Sequence, residues 1–465
     1  MRIALVSGNR ETMPDAVIPL GLLYIQASIP ARYKSVVWDL CFETKPLDYL
    51  REHIAEFAPD VVAIGMRNIQ NNDYTGYHDN LSWYAEIIAT VRACTSAPIV
   101  LGGGGFSVMP LELMQHLRPD FGVSGEGELT FASLLDALER GDGDYTGVPN
   151  LHRLVADGVK SNPPATRFQD LDALPVPDRR LVDLRHFSNY HIDSVQTKRG
   201  CSLMCDYCTY PTIEGRAVRR RDPVRVVDEM FHSLDCHPEI RHVFVVDSVF
   251  NLPPSHAKAI CRQLAARGWQ VPWTAYANPL AFDRELADLM QQANCAGLEI
   301  GADSGVDRVL DRMAKGFSID DVRKMDATCK AAGVKDCMTF ILGTPGESLE
   351  DVRATLDFCT DLDPFAAIMM IWMDDHESLD APMAGHRRAF REEVKDLMRH
   401  KAEQFPRWII PTLGVNFDPQ LFGLLRAAGK AGPLWQHIDM VRTDLRSNRL
   451  RRQASKFPPS ALSPP

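Results

Sequence analysis

The sequence predicts an α/β protein made of an open parallel sheet followed by a partial barrel, with a small helical region at the carboxyl end. Three observations point there. Short β-branched runs alternate with amphipathic helical stretches through two long tracts, several of those runs end in glycine-rich or polar loops, and 465 residues at 45% hydrophobic content suffice for more than one core. Strand and helix in strict alternation imply parallel pairing, because a parallel strand needs a long crossover before its neighbour.

In the first tract, strands are expected at Arg2–Ser7, Ser35–Asp39, Asp60–Met66, Pro98–Gly102 and Asp120–Ser124. All but the second run into loop chemistry: Gly8-Asn9-Arg10, Arg67-Asn68, Gly102-Gly103-Gly104-Gly105 and Gly125-Glu126-Gly127-Glu128. Ligands of open α/β sheets bind beyond the carboxyl ends of the strands, and glycine there lets backbone come close to a bulky group. The four-glycine run is not GxGxxG, since Phe106 and Ser107 follow it, so a dinucleotide is not specifically indicated. A phosphate-bearing or large planar cofactor stays open, as does a plain turn.

Prolines and glycines punctuate residues 141–189, which read as a linker packed on both neighbours. The second tract has strands expected at Ser194–Thr197, His242–Val246, Val271–Tyr276, Gly297–Gly301, Val334–Leu342 and Ala367–Trp372. Six strand–helix repeats suggest a partial (β/α)6 barrel resembling the TIM type, with its chemistry at the carboxyl ends. The organisation is therefore 1–140 as an open-sheet domain, 141–189 as linker, 190–384 as barrel and 385–465 as a helical region. In that last region the basic residues form a solvated face, and the tail from Arg446 to Pro465 frays.

A net charge of −10 argues against a nucleic-acid binder, which must neutralise phosphates. No apolar run approaches the ~18 residues that span a bilayer, and the start lacks a signal-peptide core, so a cytoplasmic protein without membrane contact is expected. Eleven cysteines, an odd number and scattered, do not make a disulfide framework, and most of them suit packing. The exception is Cys201-Ser-Leu-Met-Cys205-Asp-Tyr-Cys208, directly after the first barrel strand. Structural zinc wants four ligands, and no second CxxC or nearby HxxxH is present; three thiolates on a four-iron cluster would leave one iron open. Iron–sulfur ranks above zinc, and zinc stays as the alternative.

CxxxCxxC with an aromatic residue before its last cysteine resembles the signature of the radical S-adenosylmethionine (SAM) superfamily. The resemblance implies a 4Fe–4S cluster on Cys201, Cys205 and Cys208, with SAM held at the open iron and cleaved reductively to a 5′-deoxyadenosyl radical. Val246–Phe250, Leu298–Gly305 and Phe340–Glu347 resemble the family's later strand ends, in order. By that resemblance Tyr207 lies against the adenine, Asp247 and Ser248 meet the methionine end, Glu299 and Ser304 meet the ribose or methionyl carboxylate, and Gly343 lies near the adenine. Taken singly these have plainer readings: Asp247 as a helix cap, and Gly-Thr-Pro-Gly with Glu347 as a helix start.

The first domain, through Pro19–Tyr24, Leu101–Gly104 and Gly125–Glu128, resembles the Rossmann-like domain of the cobalamin-binding class of this superfamily. That implies cobalamin contacts from Arg67, Asn68, Gly102, Gly103, Gly104, Gly105, Phe106, Gly125, Glu126 and Gly127. No Asp-x-His-x-x-Gly motif supplies a lower ligand, so the lower face would be open or water-ligated. Cys41 and Cys94 are too few for the second cluster of methylthiotransferases, so one cluster is expected. The implied function is methylation of an unactivated carbon, or less often phosphorus, in a small metabolite, with an external one-electron reductant such as flavodoxin or ferredoxin and a monomeric enzyme. The alternatives are ring formation, rearrangement or oxidation without methyl transfer, and, from another class, a non-catalytic zinc- or cobalamin-binding protein. Asp374, Asp375 and His376, just past the last barrel strand, could bind a cationic or hydroxylated substrate or form a plain acidic loop.

Overall fold

The computed structural model describes residues 1–71, 78–164, 167–372, 385–402, 404–405 and 407–439; Asp374, Asp375 and His376 lie outside them. The first five expected strands pair in parallel in the order Lys34–Asp39, Arg2–Ser7, Val61–Gly65, Ile99–Gly102, Phe121–Val123. Their near-continuous apolar text follows from burial on both faces. Ala4, Val6 and Ile64 pack against Leu50, Ile54 and Ile87 from helices Pro46–Phe57 and Leu81–Cys94. Ile3, Leu5 and Val100 pack on the other face against Phe131, Leu134 and Leu135 of helix Glu128–Arg140.

The segment 141–189 carries more structure than a linker. Leu151–Val155 and Gly158–Ser161 form an antiparallel hairpin that extends the first sheet beyond Phe121–Val123. Buried His152 pins it, with ring nitrogens 2.9 Å from Ser124 Oγ and 2.7 Å from Ser161 Oγ. Further along, Arg179 is almost wholly buried and donates to Asp193, Glu229 and the carbonyls of Pro177 and Ser194, which fastens this segment to the barrel.

The barrel strands follow in sequence order, all parallel: Ile192–Val195, His242–Val245, Trp273–Ala277, Cys295–Asp303, Asp336–Leu342 and Ala366–Ile371. Val245, Ala275, Leu298 and Ile300 point outward into a core shared with Ile260, Leu264, Leu286 and Met290 of the flanking helices. Helices Ile319–Ala332 and Leu349–Leu362 begin with reciprocal capping boxes, Ser318 with Asp321 and Ser348 with Asp351. The carboxyl region is not helical throughout. Trp408–Ile409 adds a seventh parallel strand to Ala366–Ile371, and Trp435 closes the amino-terminal end of the barrel against Gly297 and Phe365. Gly297 is required there, because a Cβ would stand 2.5 Å from the Trp435 ring. Among the described residues no helix is long and apolar enough to cross a membrane.

Candidate active site

The three cysteines lie in a loop bracketed by an antiparallel pair, Lys198–Arg199 with Arg219–Arg220. Asp247, fully buried, accepts from Thr197 N (2.7 Å), Thr197 Oγ1 (2.5 Å) and Lys198 Nζ (3.2 Å), so its carboxylate fixes the start of this loop. Gly200 has φ +88°, and a Cβ there would overlap the Ala217 carbonyl; Cys201 N then donates to Gly215 O at 3.1 Å. Cys205 is buried, and Cys201 and Cys208 are part-exposed. Burial pushes the Cys205 and Cys208 thiols up, with Lys315 opposing the rise in both, so binding as thiolates calls for a metal to displace the protons. No three His, Cys, Asp or Glu side chains among the described residues converge as one metal ion requires. Three thiols on a single loop, with no fourth protein ligand among the described residues, fit a polynuclear iron–sulfur cluster with one iron open.

Tyr207, between the last two cysteines, is locked from the far side of the barrel. Its hydroxyl donates to Asp303 Oδ2 at 2.5 Å, and Lys315 Nζ lies 2.5 Å from the same oxygen and 3.1 Å from the hydroxyl. Asp303 holds a left-handed φ of +60°, Asp206 N donates to Met313 O, and Trp372 meets the Tyr207 ring edge-on at 6.0 Å. Ser248 stands part-exposed beside the Gly200 carbonyl. Of the other expected SAM residues, Ser304 is fully buried against Thr355, and the Gly343 and Thr344 N–H groups donate to Glu347 Oε2 at 2.7 and 2.8 Å. Glu299 is not brought to this end. It lies four residues before Asp303 on one strand, roughly 13 Å deeper at ~3.3 Å per residue, and accepts from Trp435 Nε1 at 2.9 Å. Burial pushes its pKa up to about 7, with Asp15 adding to the rise and the Trp435 N–H opposing it.

In the first domain the glycine run serves packing before ligand approach. Gly103 has φ +101°, and a Cβ would sit 2.5 Å from Met66 O; one on Gly105 would sit 3.0 Å from Asn68. The Arg67–Asn68 loop therefore lies directly on the helix Gly104–Val108. Phe106 is fully buried against His152, so its ring faces the core; Gly125 N donates to Ser107 Oγ and Gly127 lies beside Ile25, with both glycines part-exposed. Glu126 pairs with Arg219 at 2.5 Å and with Arg199 at 3.7 Å, and Glu128 pairs with Arg199 at 2.5 Å. These buried ion pairs clamp the first domain to the pair of strands that brackets the cysteine loop. Arg67 and Gly103 stay exposed, with Asn68, Gly102 and Gly104 part-exposed, on a face that meets Tyr210 and Ile213 just past Cys208. A planar cofactor held by Arg67, Asn68, Gly103 and Gly104 would lie beside the thiols.

Arg199, Arg219, Lys315 and Trp435 carry this architecture without having announced themselves in the sequence, while Asp303 and Trp372 stood inside segments the sequence singled out for other reasons.

Residues 195–359 match the family model of the Radical SAM superfamily, and residues 7–135 match that of the B12 binding domain. The chain thus carries a Radical SAM domain preceded by a B12 binding domain. It is 29% identical to an uncharacterised methyltransferase of Pyrococcus horikoshii over 78% of each chain. It is 27% identical to tryptophan 2-C-methyltransferase of Streptomyces laurentii, over 78% of this chain and 70% of that one. Its fold matches the structure of TsrM from Kitasatospora setae, a radical SAM methyltransferase with cobalamin and a 4Fe–4S cluster bound, at TM-score 0.84 and 24% identity over 98% of this chain and 99% of that one.

Proposed function

We propose that this chain is a cobalamin-dependent radical SAM methyltransferase that acts on a carbon centre of a small metabolite. The observation that carries the reading is the clamp of Glu126 and Glu128 on Arg199 and Arg219, which sets the glycine-bearing face of the first domain against the cysteine loop. The methyltransferase names of the relatives support the reaction type.

In this reading Cys201, Cys205 and Cys208 hold the cluster, and Arg67, Asn68, Gly103 and Gly104 hold the corrin. The cluster supplies an electron and an open coordination position for SAM, and cobalamin supplies a transferable methyl group. Asp303 and Lys315 fix Tyr207 as a rigid wall at the barrel mouth, and Asp247 holds the loop that carries the ligands. Trp435 shuts the far end of the barrel, which keeps bulk water from entering behind the substrate. An external one-electron donor of the flavodoxin or ferredoxin type completes the system.

Anaerobic isolation with hydroxocobalamin, followed by iron, sulfide and cobalt analysis, tests the proposal. About four irons and about one cobalt per chain are expected, with release of S-adenosylhomocysteine on reduction in the presence of SAM. Zinc without sulfide, cobalt near zero, or 5′-deoxyadenosine without S-adenosylhomocysteine would overturn it.

A further inference from the structure

The outer face of the cysteine loop carries apolar and cationic groups that the methyl-transfer reading does not use. Side chains alternate along a strand, so Arg219 turns inward to Glu126 while Val218 and Arg220 turn the other way, off the first domain. Val218 shares a small hollow with Cys201, Leu203, Val249 and Leu252, all of them part-exposed. Met204, in the same loop, is 60% exposed, more than any other large apolar side chain among the described residues.

Two arginines flank this patch. Arg216, exposed, donates to the Leu203 carbonyl at 2.7 Å. Arg220, also exposed, stands close enough to His256 to oppose its protonation, and the helix that carries this histidine, Pro254–Ala266, starts two residues past Leu252. Among the described residues neither guanidinium meets a carboxylate, and Asp222, the next acid along the chain, is taken up as the cap of helix Pro223–Cys236. In a chain of net charge −10, two uncompensated cations beside exposed apolar surface attract an acidic partner to one place while the rest of the surface repels it. Two arginines are too few for nucleic acid, whose binding rests on neutralising many phosphates. We propose that Arg216 and Arg220, around Leu203, Met204 and Val218, dock a small acidic electron-carrier protein that delivers its electron on the Cys201 side of the loop. This rests on the cluster reading of the three cysteines. One electron leaves the reduced carrier and enters the cluster, no bond forms or breaks, and the carrier departs oxidised by one electron. Redox encounters bury little surface and are guided by complementary charge, which suits a patch of this size.

The test measures binding of two oxidised carriers, a flavodoxin and a 2Fe–2S ferredoxin, to the iron- and cobalamin-loaded holoenzyme by anaerobic titration calorimetry. The rate at which each reduced carrier bleaches the cluster absorption is followed alongside. Binding of at least one carrier is expected at an ionic strength of about 0.01 M, weakening about tenfold or more at about 1 M, as the Debye length falls from about 30 Å to about 3 Å. Arg216→Gln with Arg220→Gln should weaken low-salt binding and slow carrier-driven reduction about tenfold, and Arg216→Lys with Arg220→Lys should restore both. Should Arg216→Gln disturb the loop through Leu203, Arg220→Gln alone, whose side chain forms no hydrogen bond among the described residues, still has to weaken binding about threefold. Arg180→Gln removes an exposed guanidinium elsewhere and should change neither reading. Reduction by dithionite, which needs no docking, should stay within about twofold in every variant. The inference is overturned if neither carrier binds, if binding ignores salt or the double variant, or if Arg180→Gln weakens it equally. It is also overturned if sedimentation shows a holoenzyme dimer that the double variant dissolves, which would give this face to a second copy. Absence of iron and sulfide would instead strike the cluster reading. A cluster that dithionite reduces and no carrier reaches would sink this inference alone.

Discussion

Replacing Lys315 with methionine tests whether charge holds the aromatic residue of the cysteine loop. The Lys315 side chain, 5% exposed, lies 2.5 Å from Asp303 Oδ2 and 3.1 Å from the Tyr207 hydroxyl oxygen. Methionine keeps the stem and removes the cation, which leaves the Asp303 side chain, 4% exposed, with the Tyr207 O–H as its remaining side-chain donor. Breaking a buried pair from one side costs about 3–5 kcal/mol. Because Asp303 keeps one hydrogen bond, the lower end, about 3 kcal/mol, is the expected loss. Asp303→Asn in the same chain removes the orphaned charge while leaving an oxygen for Tyr207, so the double variant should recover at least half of it. Urea unfolding of wild type, both single variants and the double variant, compared at equal slope, measures the coupling. Two results would refute the reasoning: Lys315→Met within about 1 kcal/mol of wild type, or a double variant no more stable than Lys315→Met. The same proteins carry a second readout. The cluster potential should move negative in Lys315→Met, positive in Asp303→Asn, and back towards wild type in the double variant, since a lone carboxylate favours the oxidised cluster and a lone ammonium the reduced one.

Three further outcomes are expected. A Cys201→Ala, Cys205→Ala, Cys208→Ala variant should lose iron, sulfide and the cluster absorption together, and a retained cluster would remove the site assignment. Glu126→Gln with Glu128→Gln leaves Arg199 and Arg219 buried without their acids, so the domain clamp loosens and cobalamin should dissociate about tenfold faster or more; dialysis followed by absorbance reads this, and unchanged release would show that the clamp does not position the cofactor face. His242, buried against Thr274 with His437 nearby, is pushed down to about 3 by burial and then by that second imidazole. It stays neutral in the fold while the unfolded chain protonates near pH 6.5, so the stability it confers is intact above that pH and is lost as pH falls towards 3, at up to about 1.4 kcal/mol per unit. His242→Gln should flatten this acid limb in denaturation measured from pH 7 to pH 4, and an unchanged slope would count against the assignment.

Much of the fold was legible because parallel strands covered on both faces must be apolar throughout, and Arg2–Ser7 begins and ends where its text says. The ends of the barrel strands moved by up to two residues because tertiary bonds set them: Thr197 lies past its strand because Asp247 takes its N–H. The hairpin Leu151–Ser161 was hidden because it is short and its first strand gains a second partner from another segment, and proline- and glycine-rich text around it reads as connection. By itself the sequence determined two parallel-sheet units in order and a three-thiolate site at the first barrel strand, since cluster ligands so close in the chain are a local pattern. Only the tertiary structure decided which polar residues face a ligand and which are occupied by the protein. Asp247, Ser304, Gly343 and Glu126 have their groups paired within the fold, and Glu299 accepts from Trp435 deep in the barrel. Lys315 and Arg199 read like any solvated cation until the acid across from each is known. An ion pair is made by what stands opposite in space, and a residue's own neighbours in the chain do not record that.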